Sequence, residues 1–557
     1  MSESATAFDY IVVGGGSAGC VLASRLSEEA DRSVLLLEAG GRDSHYLLRM
    51  PLAFLRAMFQ PHFSWGYSSE PEPHLNGRRV PLPRGRVLGG SGSINGLFYM
   101  RGHSLDFEAW RQLGCEGWGY EDVLPYFKRS EKSWRGAGKY HGDRGPVEVC
   151  AIDTTRLLHD RLMRTAAPSG FNTTEDIHGD LEEGFARGEV TIDRRGRRAS
   201  TSWAYLHPVM GRRNLTVTLN AQVTRVLLER GRAVGVEFNH RGRLQQARAR
   251  REVVLSGGTY NSPQLLMLSG IGPADELRKL GIKPSVDLPG VGRNLSEHPH
   301  IPVEFVASIP VTFLNELRFD RAAFSVMQWA LFGTGAFATQ INSCNVVVRT
   351  DPRLSQPDVQ LMCNPVRMDA KLWFPLLTSR QEHRITADVV VLHQKSRGSV
   401  TLRSSNPLDA PRIQLNSFAE PSDFEIARRG IRTARRIYRT APQAEIVGEE
   451  VRPGTAVQSD AELDAYVRAS ASVTQHPVGT CSMGVGADAV VDPQLRVRGV
   501  EGLRIADASV MPTVPGANTN AAVVMIAEKA SDLMLGRALL PAEQVRATAR
   551  AALEAVT

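Results

Sequence analysis

Three observations in this sequence predict an α/β fold of two interleaved domains. An apolar strand at Phe8 to Val13 runs into a glycine turn, Gly14 to Gly19, and then into helical spacing. A second buried run, Arg251 to Ser256, again meets glycines, Gly257-Gly258. Between 305 and 470 the texture changes to alternating strands and amphipathic helices without such turns.

In chain order, Phe8 to Val13 is β-branched and apolar, Ser17 to Glu29 carries the helix, and Val34 to Glu38 is a second buried strand. Together they make one βαβ unit of a parallel sheet. Pro81 to Gly102 holds too many glycines for a regular element, which points to backbone lying against a ligand. After Gly258 the spacing predicts a helix starting at Ser262-Pro263-Gln264, with Pro at the first helical position. In the second domain Asp388 to Leu392 and Ser399 to Leu402 read as strands. Pro541 to Thr557 reads as a short helical tail.

The bulk numbers exclude several functions. With 557 residues, 42% hydrophobic and 22% charged, the chain has ordinary globular composition and enough length for two cores. Cys20, Cys115, Cys150, Cys344, Cys363 and Cys481 are scattered without C-x-x-C or zinc spacing, so no metal site and a reducing compartment are expected. No basic region and apolar core precede Phe8, which predicts a cytoplasmic protein. No apolar run spans a bilayer, leaving at most peripheral membrane association. The net charge of +7 comes mainly from dispersed arginines, and the Arg194-to-Arg198 cluster lacks interleaved aromatics, so nucleic acid is not expected as a partner.

Gly14-Gly15-Gly16-Ser17-Ala18-Gly19 satisfies G-x-G-x-x-G between strand and helix, with Glu38 at the end of the next strand. The glycines permit a tight turn, close approach of a pyrophosphate and helix–strand packing, while the helix N-terminus offers N–H groups and a positive dipole. Glu38 is placed to accept ribose hydroxyls, which suits FAD or NAD rather than NADP. The second glycine-rich run, Arg84 to Gly96, favours FAD, because a flavin ring beyond the pyrophosphate gives a reason for another loop.

These motifs resemble the glucose–methanol–choline oxidoreductases. The resemblance extends through Ser262 to Pro273, Pro289 to Leu295 with His298, Gln475 to Gly484, and Ala506 to Pro512 with Asn518-Thr519-Asn520. It implies a Rossmann-like FAD-binding domain (1–151, 197–304 and 472–540) interleaved with an α+β substrate-binding domain (152–196 and 305–471). It implies oxidation of an alcohol to an aldehyde or ketone, with hydride passing to flavin N5. Other flavin chemistry, as in an oxidase or lyase, or flavin binding without catalysis, are the alternatives. The partners implied are a small-molecule alcohol and, as electron acceptor, O2 or a quinone-like carrier.

By the same resemblance His476 and Asn520 match the catalytic pair, with His476 as general base. Imidazole titrates nearest neutrality, and an amide can donate to a developing alkoxide. The resemblance also assigns Ala39, Trp65, Arg86, Val87, Gly90, Ser91, Asn95, Gly96, Val223, Gly258, Asp507, Ala508, Asn518 and Thr519 to the cofactor. Trp65 would lie beside the adenine; Asp507 would close over the flavin or cap a helix. His298 is read as ordering the flavin side of the fold. Ile94 stands where covalent-flavin members carry a histidine, which predicts non-covalent FAD. In Thr339-Gln340-Ile341-Asn342-Ser343 a serine falls where choline dehydrogenases tend to carry Glu, which argues against choline as substrate.

Overall fold

The computed structural model describes residues 6–374, 377–378 and 381–545. The expected βαβ unit is present as the strand Thr6–Val13, the helix Ser17–Leu26 and the strand Val34–Glu38. All five residues of Val34–Glu38 are buried, which explains its unbroken apolar character. Thr6–Val13 lies between Val34–Glu38 and Arg243–Leu255, parallel to both. Leu215–Leu219 and Leu503–Ile505 extend the parallel core on its two sides. The seven-stranded sheet is completed by Ala221–Glu229 and Arg232–His240, antiparallel additions that continue from Arg243–Leu255.

The helix after Gly257 starts at Gly258 and runs to Leu268, so Pro263 lies inside it rather than at its first position. A proline there removes one N–H from the helical ladder and leaves a carbonyl one turn earlier without its partner. The Thr480 hydroxyl supplies the replacement, donating to the Thr259 carbonyl at 2.6 Å.

A second seven-stranded sheet runs in the order Val447–Arg452, Pro299–Ala307, Arg384–Val391, Val359–Asn364, Cys344–Val348 and Gly184–Ala186, with Ser472–Val473 paired to Pro299–Ala307. One face, carrying Val303, Val359, Leu361, Val389 and Val391, packs in a core with the helix Pro421–Tyr438. The other carries Val347, Val390 and Leu392, which meet Met100 and Ala517 of the first sheet's side. The segments feeding the two sheets alternate along the chain, and the site lies where they face each other. The expected tail from Pro541 is not helical as far as Val545, and its remainder lies outside the described residues.

Candidate active site

A cavity of about 540 Å³ lies between the two sheets, within the range of small-molecule sites. At one end its wall is the first glycine turn. Gly14 has φ +99, and a Cβ on it would come within 2.5 Å of the Ser256 carbonyl oxygen. A Cβ on Gly19 would sit 1.9 Å from the Gly14 oxygen, so both glycines are required by packing. Gly16 differs, because a Cβ there would meet nothing closer than 3.9 Å and it faces the cavity. Gly16 also caps the helix Ser17–Leu26 with no side-chain bond, leaving the first N–H groups for a ligand.

The second glycine run packs directly on the first. Gly89 N–H donates to the Gly15 carbonyl at 2.7 Å, and a Cβ on Gly90 would stand 2.7 Å from Gly16 Cα. Behind this contact Glu38 is buried, and burial pushes its carboxyl up to about 7 against the pull of the Gly40 and Gly15 N–H groups and Arg86. Its Oε2 accepts from Gly15 N–H at 2.8 Å and its Oε1 from Gly40 N–H at 2.7 Å. The carboxylate therefore ties the turn to its own strand while lining the cavity. These features, an open glycine cradle at an uncapped helix end with an acid beside it, fit the dinucleotide of FAD.

Of the expected cofactor residues, Gly14, Gly16, Ser17, Ala18, Glu38, Ala39, Trp65, Gly90, Ser91, Asn95, Gly96, Val223, Gly258, Asp507, Ala508, Asn518 and Thr519 line this cavity. Gly19, Arg86 and Val87 are not on its wall. Gly19 is consumed by helix packing, and Val87 is buried beside Ile94 in a separate apolar cluster. Arg86 spreads its guanidinium over the Trp65 ring at 4.7 Å, bracing that side chain from behind. Asp507 acts as a clamp: its Oδ2 accepts from Gly258 N–H and Ser262 Oγ, and its Oδ1 caps the short turn Ala508–Val510 through Ser509 N–H.

At the other end stands His476, only 8% exposed. The segments around Ser296 and Val478 pair in both directions through their backbones, which sets His298 against His476 with ring centroids 5.4 Å apart. His298 Nε2 lies 3.0 Å from the Leu392 carbonyl. A carbonyl only accepts, so that nitrogen carries the proton. Burial, together with His476 and His393, holds His298 neutral, so its Nδ1 is a bare acceptor.

The 3.2 Å contact between the two Nδ1 atoms then requires a proton on His476 Nδ1. Thr474 Oγ1, 2.8 Å from the same nitrogen, accepts from it while donating to the His298 carbonyl. His476 Nε2 is left with its lone pair toward the cavity. Burial, with Arg84 and His300, lowers the His476 pKa to about 3, so the ring is neutral.

The amide that meets this lone pair belongs to Asn518, whose Nδ2 is 3.0 Å from His476 Nε2. Asn520, the expected partner, begins the helix Asn520–Leu535 and accepts from Ser17 Oγ at 2.7 Å instead. In this structure Asn520 joins the nucleotide-side turn to its packing helix while still lining the cavity, and the amide facing the histidine is that of Asn518. The Asn518 Oδ1 is buried with no hydrogen-bond partner among the described residues.

Two further groups hold the histidine in place. Glu297 Oε1 accepts from His476 N–H at 2.6 Å, and burial raises that carboxyl to about 8. Arg84 donates two hydrogen bonds to the Gln475 carbonyl at 3.1 Å, pinning a non-glycine residue at φ +69 just before His476. Opposite, the second sheet contributes His300, Met362, Asn364 and Asp388 to the wall, with Gln340 beside them. Ser343, where a carboxylate was found wanting, is buried off the wall; a carboxylate is present nonetheless, on Asp388.

Comparison with known proteins agrees with this geometry. Residues 8–300 and 394–527 match the two parts of the GMC oxidoreductase family. The chain belongs to that family. It is 43% identical over 534 residues to an oxygen-dependent choline dehydrogenase of Sinorhizobium fredii, covering 95% of this chain and 96% of that protein. A protein of the same description from Brucella suis is 42% identical over 533 residues, again covering 95% and 96%. Among solved structures, pyridoxine 4-oxidase from Mesorbium loti superposes with a TM-score of 0.85 at 30% identity, covering 95% of this chain and all of that one. Formate oxidase from Aspergillus oryzae superposes at 0.89 with 26% identity, over 96% and 99% of the two chains. As a GMC oxidoreductase this chain is an FAD-dependent alcohol oxidoreductase. Among the described residues no helix is long and apolar enough to cross a membrane.

Proposed function

We propose that His476 Nε2 is the base that takes the hydroxyl proton of a small alcohol, and that Asn518, not Asn520, holds the alcohol oxygen. The observation that carries this is the chain of bonds from the Leu392 carbonyl through His298 to His476 Nδ1, which leaves Nε2 as the accepting nitrogen, met in this structure by the Asn518 amide. An alcohol oxygen that displaces the direct His476–Asn518 bond accepts from the amide Nδ2 while releasing its proton to Nε2. Bound FAD supplies the acceptor for the hydride that leaves the carbinol carbon. The two glycine turns and the Asp507 clamp would hold that cofactor, and burial of His476 excludes water that would compete for the proton.

As His476 gains its proton it becomes a cation in a dry site, where the His298 Nδ1 lone pair and Thr474 Oγ1 accept from its other N–H. The names of the relatives support oxygen as the electron acceptor. The test is anaerobic flavin reduction with an alcohol panel, comparing wild type with Asn518→Ala and Asn520→Ala. A larger loss of reduction rate in Asn520→Ala than in Asn518→Ala overturns the pairing.

A further inference from the structure

The carboxyl of Asp388 has no counterpart in the mechanism above. It lies on Arg384–Val391, opposite Pro302 on one neighbouring strand and Met362 on the other. This is the sheet face turned toward the first domain, since its neighbour Val390 packs there. The side chain is 8% exposed and lines the cavity that contains His476. Its one side-chain hydrogen bond among the described residues comes from Asn364 Nδ2 at 3.5 Å, too long to satisfy a carboxylate. No cation pairs with it among those residues. The neighbouring acid Glu304 is treated differently, being held by Arg384 at 3.1 Å and Arg452 at 3.3 Å.

We propose that Asp388 is a substrate-anchoring residue that binds a positively charged N–H group, so that the alcohol oxidised is a compact amino alcohol. This rests on the reading of His476 and Asn518 as the reacting end of the site. A buried carboxyl without a partner costs stability unless something repays it, and an incoming cation with a proton to donate does so. Burial and Glu304 push this carboxyl up to about 7, and the cation would hold it ionised.

The strand register places Asp388 on the wall beside the reacting end. Ser472–Val473, just before the base, pairs with Pro299–His300, and His300 stands opposite Val390. Asp388 is two residues from Val390, about 7 Å along the strand. The second-sheet wall around it offers His300, Met362 and Asn364, and the aromatic rings that line the cavity, Phe54, Phe59, Trp65, Phe98 and Tyr260, come from its other walls. Carboxylate lone pairs with no protein donor favour N–H over N-methyl.

The test uses FAD-loaded enzyme with N,N-dimethylaminoethanol, its uncharged all-carbon isostere, and choline. Wild type should favour dimethylaminoethanol over the isostere by at least about 30-fold in kcat/KM, as expected for a buried charge pair. Asp388→Asn should collapse that ratio toward one, mainly through KM and with FAD content retained, and Asp388→Glu should restore part of it. A ratio that survives in Asp388→Asn overturns the proposal, and choline outperforming dimethylaminoethanol overturns the N–H requirement. Binding is read separately from the flavin spectrum under argon, titrated with trimethylammonium, which cannot be oxidised as an alcohol. If Asp388→Asn abolishes that binding while no alcohol reduces the flavin, the anchor stands and the reading of the reacting end falls. If trimethylammonium binds both forms equally, the anchor falls.

Discussion

The amide nitrogen of Asn518 lies 3.0 Å from Nε2 of His476, the nitrogen that the surrounding hydrogen bonds leave unprotonated. Asn518→Ala removes a neutral donor to the developing alkoxide and should slow flavin reduction by ~10²–10³-fold, with FAD retained. Asn520→Ala removes the acceptor of the Ser17 hydroxyl and should show instead as lower FAD content in the purified protein. Stopped-flow reduction and the flavin-to-protein absorbance ratio separate the two outcomes.

His476→Ala removes the proposed base and should slow reduction by ~10²–10⁴-fold. Its pH signature follows from the lowered pKa of about 3. A depressed histidine pKa means that the folded enzyme keeps the ring neutral above that value, so the base is competent across the neutral range. Any inflection of the wild-type rate between about pH 5 and 8 therefore belongs to another group and should persist in His476→Ala. A limb in that window that vanishes with the histidine contradicts the buried neutral ring.

Glu38→Gln places an amide where two backbone N–H groups converge. One of them then faces an NH2 group, a donor against a donor, at a cost of about 1–3 kcal/mol. The glycine turn loosens, and dialysis should yield apo-protein. FAD occupancy equal to wild type after dialysis shows that the turn does not depend on this carboxylate.

Ile94 is buried beside Val87 in an apolar cluster and carries no nucleophile. Acid precipitation should release intact FAD into the supernatant. Yellow colour remaining with the precipitate means that another residue is bonded to the ring.

The nucleotide-binding half was legible in the sequence because its signals are local: a strand, a turn of fixed length and a helix, all within Thr6–Leu26. The reacting end was less so. Asn518 and Asn520 are two residues apart, and the start of a helix at Asn520 turns one toward Ser17 and the other toward the histidine. Spacing cannot decide between them. Asp388 was readable as a strand residue, but which face of the sheet it occupies depends on pairing with Pro302 and Met362, far away in sequence. The role of His298 was hidden for the same reason, since its orientation is set by a carbonyl at Leu392.

The strand Pro299–Ala307 begins immediately after His298 and also pairs with the segment leading to His476. Edits along it would shift His476 together with the pocket wall. Arg384–Val391 meets that machinery through the Leu392 carbonyl just past its end, while Asp388 sits back along the strand. A designer seeking new substrates therefore has two strands on which to rewrite the wall, at Asp388 and, on Val359–Asn364, its facing partner Met362, and a third, Pro299–Ala307, that is best left alone.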